Sequence, residues 1–203
     1  SVEIPIDIQK ARISADDPEC PPVDVPLPDE AALDALAEKL LTARRPLLWL
    51  GGGARHAGEA VRRLIDLGFG VVTSTQGRGI VPEDDPATLG AFNAVPTSEE
   101  FYKTCDAMVV VGSRLRGNET LGYRLVLPQP LFQIDADPES DGRCYGSDLF
   151  IHGDSALTLS GLADRLDGNM DIDPALRDDL IAARRAGEAA TRKNLAPYDT
   201  LFD

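Results

Sequence analysis

Apolar residues fall into two patterns along this chain. Short unbroken runs bounded by glycine or proline alternate with stretches where leucine, valine and alanine recur every three or four positions. The clearest run is Leu47-Leu48-Trp49-Leu50, which follows Pro46 and leads into Gly51-Gly52-Gly53. A run this short, held between breakers, suits a strand buried on both faces. The same reading places strands at Phe69–Thr73, Asp106–Gly112, Pro130–Asp135 and Leu149–Asp154. Helical spacing lies between them. Leu33, Leu36, Ala37, Leu40 and Leu41 share one face of a helix that Asp29 caps. Val61, Leu64 and Ile65 mark a second helix with Gly68 as its stop, and a short helix is predicted around Ser98–Thr104. Leu159, Leu162, Ala163 and Leu166 form another apolar face. Strands alternating with helices predict parallel βαβ units: a three-layer, doubly wound α/β fold whose mostly parallel sheet is covered on both sides.

The pattern divides the chain into residues 1–28, 29–168 and 169–203. Ser1–Ile8 alternates like a strand and reads as the last strand of a preceding unit. Residues 15–28 contain five prolines and read as an extended linker. The central stretch holds the α/β unit. A last helix opens at Asp173-Pro174, with Leu176, Leu180, Ala183 and Gly187 on a weakly apolar, arginine-rich face. It is expected outside the core, as a connector. A start within a strand-like pattern and an end on Leu201-Phe202-Asp203 make the chain read as part of a longer polypeptide.

Composition narrows the function. Lys and Arg number 20 against 34 Asp and Glu, a formal charge of −14, which repels nucleic acid and anionic lipid. Solubility is the plainer meaning of such acidity. Cys20, Cys105 and Cys144 are odd in number and widely spaced, which argues against a disulfide framework or a zinc site. With no run long enough to span a bilayer and no signal-like start, a reducing cytoplasm is the expected compartment.

Open parallel sheets bind ligands beyond the carboxyl ends of their strands. Those ends are Gly51–Gly53, Ser74–Gly77, Gly112–Arg114, Asp135–Ala136 and Gly153–Asp154. Glycine amides there, reinforced by a following helix, suit a pyrophosphate, and Asp135 suits a ribose hydroxyl. The alternative is structural: glycines in tight turns, and Asp135 as a turn or cap residue. The dinucleotide fingerprint is incomplete, because His56 stands where the third glycine belongs. Arg114 and Arg116 are candidates to hold an anion. His56 and His152 lack a paired nucleophile and read as loop or packing residues, and no catalytic or metal-ligating set emerges.

The order of segments resembles the central domain of thiamine-diphosphate-dependent enzymes of the acetolactate synthase, benzoylformate decarboxylase and oxalyl-CoA decarboxylase type. Ser1–Ile8 resembles the strand leading out of the family's pyrimidine-binding domain. Ala43-Arg44-Arg45-Pro46 with Leu47–Gly53, Val71–Gly79 followed by Pro82 and Asp85-Pro86, and Leu89-Gly90 continue the likeness. Cys105–Arg114, Gln133–Pro138 and Gly153-Asp154 complete it, so that it covers roughly residues 1–167.

The resemblance implies a six-stranded, Rossmann-like sheet of the DHS-like NAD/FAD-binding type, set between two thiamine-diphosphate-binding domains of the same chain. Thiamine diphosphate and Mg²⁺ would be bound by those outer domains. The parent would be a 2-keto acid decarboxylase or carboligase, a lyase or transferase, working as a homodimer or homotetramer. This segment alone would be inactive, with residues 169–203 leading to the diphosphate-binding domain. Some members hold FAD or ADP in the central crevice. The matching positions are Gly51, Gly52, Gly53, Ser74, Thr75, Gln76, Gly90, Gly112, Ser113, Arg114, Asp135, Ala136 and Asp154. Gly90-Ala91-Phe92-Asn93 and Arg114-Leu115-Arg116-Gly117-Asn118 depart from the acetolactate synthase motifs that line the flavin, which counts against FAD. Two further expectations stay open: a free-standing NAD- or FAD-binding module, and a structural spacer with an empty crevice.

Overall fold

The computed structural model describes residues 4–12, 24–90 and 92–195. Its centre is a parallel sheet of five strands: β1 (Pro46–Leu50), β2 (Gly70–Thr73), β3 (Ala107–Val111), β4 (Leu131–Asp135) and β5 (Leu149–His152). Their spatial order is β2-β1-β3-β4-β5, and every adjacent pair is parallel. β1, β2 and β3 are buried along their whole length, as unbroken apolar runs require. β5 is half-buried at the edge.

Alternation along each strand sends side chains to two separate cores. Leu48, Leu50, Val71, Val109, Val111, Phe132 and Ile134 face one side, where α1 (Glu30–Leu40), α2 (Gly58–Asp66) and α4 (Ser155–Leu166) cover them. Leu47, Trp49, Val72, Met108, Val110 and Leu131 face the other. There α3 (Pro96–Tyr102) and α5 (Leu176–Asn194) form the cover. The β3–β4 connection contains no helix; Leu115, Leu125 and Leu127 from it are buried in that second core. Asp106 ties the strand entries together, its carboxylate accepting from Arg44 N and Arg45 N at 2.8 Å each.

Aspartates start two of the helices, one of them, Asp29, as the sequence predicts. Asp29 caps α1 by accepting from Ala32 N at 3.3 Å, and Asp154 caps α4 by accepting from Ala156 N and Leu157 N. Leu41 differs: it closes α1 as a C-cap and stands 38% exposed rather than on the buried face.

Three other expectations change. The described residues form five strands, with one parallel bridge between Val71 and Thr88 where a sixth would run. The turn at Asp85-Pro86, whose carboxylate accepts from Ala87 N, bends the chain before the bridge, and Gly90 at φ +70° bends it after. Only one residue can pair. The predicted connector helix, α5, is packed on the sheet. Leu176 and Leu180 are buried, and Gly187 sits against Phe92 and Val95. Its arginines supply what its narrow apolar stripe lacks: Arg184 Nη1 donates to the carbonyls of Glu83, Asp85 and Thr88. Arg45 pairs with Asp173 before the helix and Asp179 within it, at 2.6 and 2.7 Å. Finally, the described part of the first predicted strand, residues 4–8, leads into a 3₁₀ turn at Ile8–Lys10, with Ile4, Ile6 and Ile8 exposed; residues 1–3 lie outside the described residues.

Of the proline-rich stretch, residues 15–23 lie outside the described residues. Residues 24–28 are extended against the site end of β5, with Pro26 O accepting from Asp154 N at 2.8 Å. No helix among the described residues is long and apolar enough to cross a membrane.

Candidate functional site

The strand order makes the chain wind in opposite directions from β1 and β3, so the switch point lies between their carboxyl ends. A crevice of about 330 Å³ opens there, lined by Gly52, Arg55, Ser74, Thr75, Gln76, Gly112, Ser113, Arg114, Arg116, Asn118 and Glu119. Seven predicted site residues therefore meet on one wall: Gly52, Ser74, Thr75, Gln76, Gly112, Ser113 and Arg114.

Of the two readings of the glycines, the geometry around Gly51 and Gly53 fits the structural one. Gly51 N donates to Val111 O at 2.8 Å and Gly53 N to Gly112 O at 3.0 Å, so neither amide is bare. A Cβ on Gly51 would lie 2.2 Å from Gly112 O, and one on Gly112 would lie 2.5 Å from Gly53 Cα. Gly112 also has φ +57°, a left-handed backbone that a side chain disfavours. The loops after β1 and β3 thus pack backbone to backbone, and Gly51 and Gly53 are glycine because nothing larger fits. The helix that was to aim its positive end at this loop, α2, starts only at Gly58, after an intervening 3₁₀ turn at Gly52–Ala54, and lines none of the crevice.

The polar wall is built by local bonds. Ser74 is buried and its Oγ accepts from Gln76 N and Gly77 N at 3.2 Å each, which turns the loop after β2 across the crevice floor. Ser113 Oγ accepts from Leu115 N, and Gln133 Nε2 donates to Ser113 O, fixing the start of the loop after β3. Leu115 is buried at φ +46°. Turning this one apolar side chain into the core leaves its neighbours Arg114 and Arg116 both on the crevice. Such a backbone costs a non-glycine residue about 1–3 kcal/mol, which burial of the leucine offsets. Arg55 Nε donates to Gly52 O at 3.0 Å, and Arg114 pairs with Asp137 at 2.9 Å. In a chain of charge −14, three arginines and one glutamate line this crevice.

Gly90, Asp135, Ala136 and Asp154 stand off that wall. Gly90 lies beside Glu83 and Arg184. Burial pushes the Asp135 carboxyl up from the ordinary carboxylate value, while its Oδ1 accepts from Asp137 N at 2.9 Å. Ala136 O contacts His152 Nε2 at 3.0 Å. His56 lines a separate groove between α2 and α4. Cys105 is a buried free thiol that burial pushes up to about 12, and Cys144 is free and half-buried; Cys20 lies outside the described residues. Asp154 spends its carboxylate on the α4 cap, and no three His, Cys, Asp or Glu side chains among the described residues are grouped to hold a metal ion. The described residues therefore offer no ligand set for the metal ion that accompanies thiamine diphosphate.

Two wall residues, Arg55 and Glu119, had not been singled out in the sequence. Arg55 was hidden inside the imperfect glycine fingerprint. Glu119 had no sequence signal, because only the fold of the β3–β4 loop brings it opposite β2.

Comparison with known proteins agrees with this geometry. Residues 33–162 match the family model described as thiamine pyrophosphate enzyme, central domain. A probable 2-ketoarginine decarboxylase of Pseudomonas aeruginosa is 37% identical over 141 residues, covering 69% of this chain and 25% of that protein. A probable acetolactate synthase large subunit of Methanocaldococcus jannaschii is 32% identical over 167 residues, covering 77% of this chain and 28% of that protein. An X-ray structure assigned to a thiamin diphosphate-dependent enzyme of Mycobacterium smegmatis superposes with a TM-score of 0.60 at 29% identity, covering 74% of this chain and 30% of that one. The chain spans about a quarter of the length of these curated relatives.

Proposed function

The chain belongs to the thiamine pyrophosphate enzyme family, as its central domain, and on that premise we propose that it serves a longer 2-keto acid decarboxylase or carboligase as a nucleotide-holding scaffold. The relatives' names point to this chemistry: one is a decarboxylase of 2-ketoarginine, another an acetolactate synthase. Thiamine diphosphate, which the family implies, would supply the carbanion chemistry from flanking domains together with Mg²⁺. This chain would hold those domains apart and contribute no reacting group, in a homodimer or homotetramer.

One observation carries the nucleotide part: Arg55, Arg114 and Arg116 converge on a crevice at the switch point of a strongly acidic chain. Arginine forks suit phosphate, so the ligand moiety is the ADP common to ADP itself and FAD. Calorimetric titration with ADP and with FAD tests it. Saturable binding of ADP is expected, and a flavin absorbance band in the purified protein would name FAD. No heat with either ligand would overturn it.

A second reading has its own observation. Gly51, Gly53 and Gly112 fill one another's space and spend their amides on backbone carbonyls. That is what a spacer needs, and it is the reading that remains if no nucleotide binds.

A further inference from the structure

Glu119 is the one acid on a crevice wall with three arginines. It does not pair with any of them by an ion pair among the described residues. Its Oε1 instead accepts a hydrogen bond from Thr75 N at 3.2 Å. Thr75 follows the carboxyl end of β2, where parallel sheets offer backbone amides to ligand anions. The glutamate reaches this amide from the β3–β4 loop, 44 residues away in sequence. Its backbone is pinned independently: Glu119 N donates to Arg116 O at 2.9 Å, and Glu119 O accepts from Asn93 Nδ2 at 3.1 Å.

We propose that Glu119 is a specificity-determining residue whose carboxylate holds the Thr75 amide in place of a ligand phosphate. The inference rests on the nucleotide reading above and deepens it. A carboxylate and a phosphate are both anionic acceptors, so they cannot share one N–H, and side by side they repel. A phosphate entering at Thr75 must displace Glu119, whereas one on the arginine side need not. Glu119 thus disfavours ligands that bring negative charge to the β2 end and accepts those that bring a neutral or donating group there.

The test is calorimetric titration of the chain and its Glu119→Gln and Glu119→Ala variants with inorganic pyrophosphate, ADP and adenosine. Removing the charge is expected to tighten pyrophosphate and ADP about tenfold, equivalent to ~1.4 kcal/mol. Adenosine binding should not change. Binding by the variants where the parent shows none would support the proposal in its strongest form. If the parent binds ADP and both variants bind it equally or more weakly, Glu119 is a bystander or a ligand contact and the proposal falls while the nucleotide reading stands. If no form binds pyrophosphate or ADP, the nucleotide reading fails and takes the proposal with it. Unliganded melting curves confirm that the variants fold, as the backbone anchoring of Glu119 predicts.

Discussion

Gly51 shows how a residue's place can be plain in the sequence while its cause stays open. Its position at the end of the first strand was evident from Leu47–Leu50, but a glycine there means either a ligand amide or a steric necessity, and local sequence does not choose. The choice came from Gly112 O, 2.2 Å from where a Cβ would sit, just past the end of β3 and 61 positions later in the chain. Backbone cannot move aside as a side-chain tip can. Gly51→Ala is therefore expected to destabilise the fold by about 1–3 kcal/mol or more, as overpacking does. Gly146→Ala, where a Cβ meets nothing within 4 Å, is the control and should stay within about 0.5 kcal/mol of the parent. Urea midpoints measure both; equal midpoints would show that the two loops can part. Leu115 adds the converse lesson: a left-handed leucine carries no mark in the sequence, yet it puts both arginines on one wall.

At the scale of elements, the loop from Pro82 to Leu89 is held from two helices at once. Arg62 of α2 pairs with the Asp85 carboxylate at 2.9 Å, and Arg184 of α5 gathers three of the loop's carbonyls. Burial works against the Asp85 charge, but the Ala87 amide and Arg62 outweigh it, and the carboxyl lies below its ordinary value of 3.8. A lowered folded value means that Asp85 adds stability above pH 3.8, lost as pH falls through the folded value. Asp85→Asn should lower the urea midpoint at about pH 7, and the gap to the parent should narrow progressively as pH falls below 3.8. A gap that stays constant as pH falls would mean that the charge is not what matters. Asp135 has the opposite sign: burial raises its value, so its contribution fades as pH rises through that value. The same helix, α5, explains why the expectation of a helix outside the core does not hold. Hydrophobic periodicity counts leucines, and α5 has few; its hold on the sheet comes also from arginine donors, which periodicity scores as solvent-facing.

The whole molecule sets a field as well as a fold. Its charge of −14 repels a nucleotide at long range, while Arg55, Arg114 and Arg116 attract it at short range. The two ranges respond differently to salt. Raising ionic strength screens the repulsion first, so ADP association should quicken, or at least not slow, between about 0.01 and 0.1 M salt. A steep slowing over that range, followed by stopped-flow, would mean that the arginines dominate the far field. The sequence by itself determined the α/β class, the five strands and their alternation with helices, the helix cap at Asp29, and the likeness to thiamine-diphosphate enzymes that the family match bears out. These are local properties: an unbroken apolar run reports burial on both faces, and a three- or four-residue spacing reports one face of a helix, whatever the chain does elsewhere. Tertiary structure alone decided the order of the strands, the packing of α5, the cause of the glycines, and the meeting of Glu119 with Thr75. Each of these is a distance between residues far apart in the chain, set by which strand lies beside which, and no local pattern encodes it.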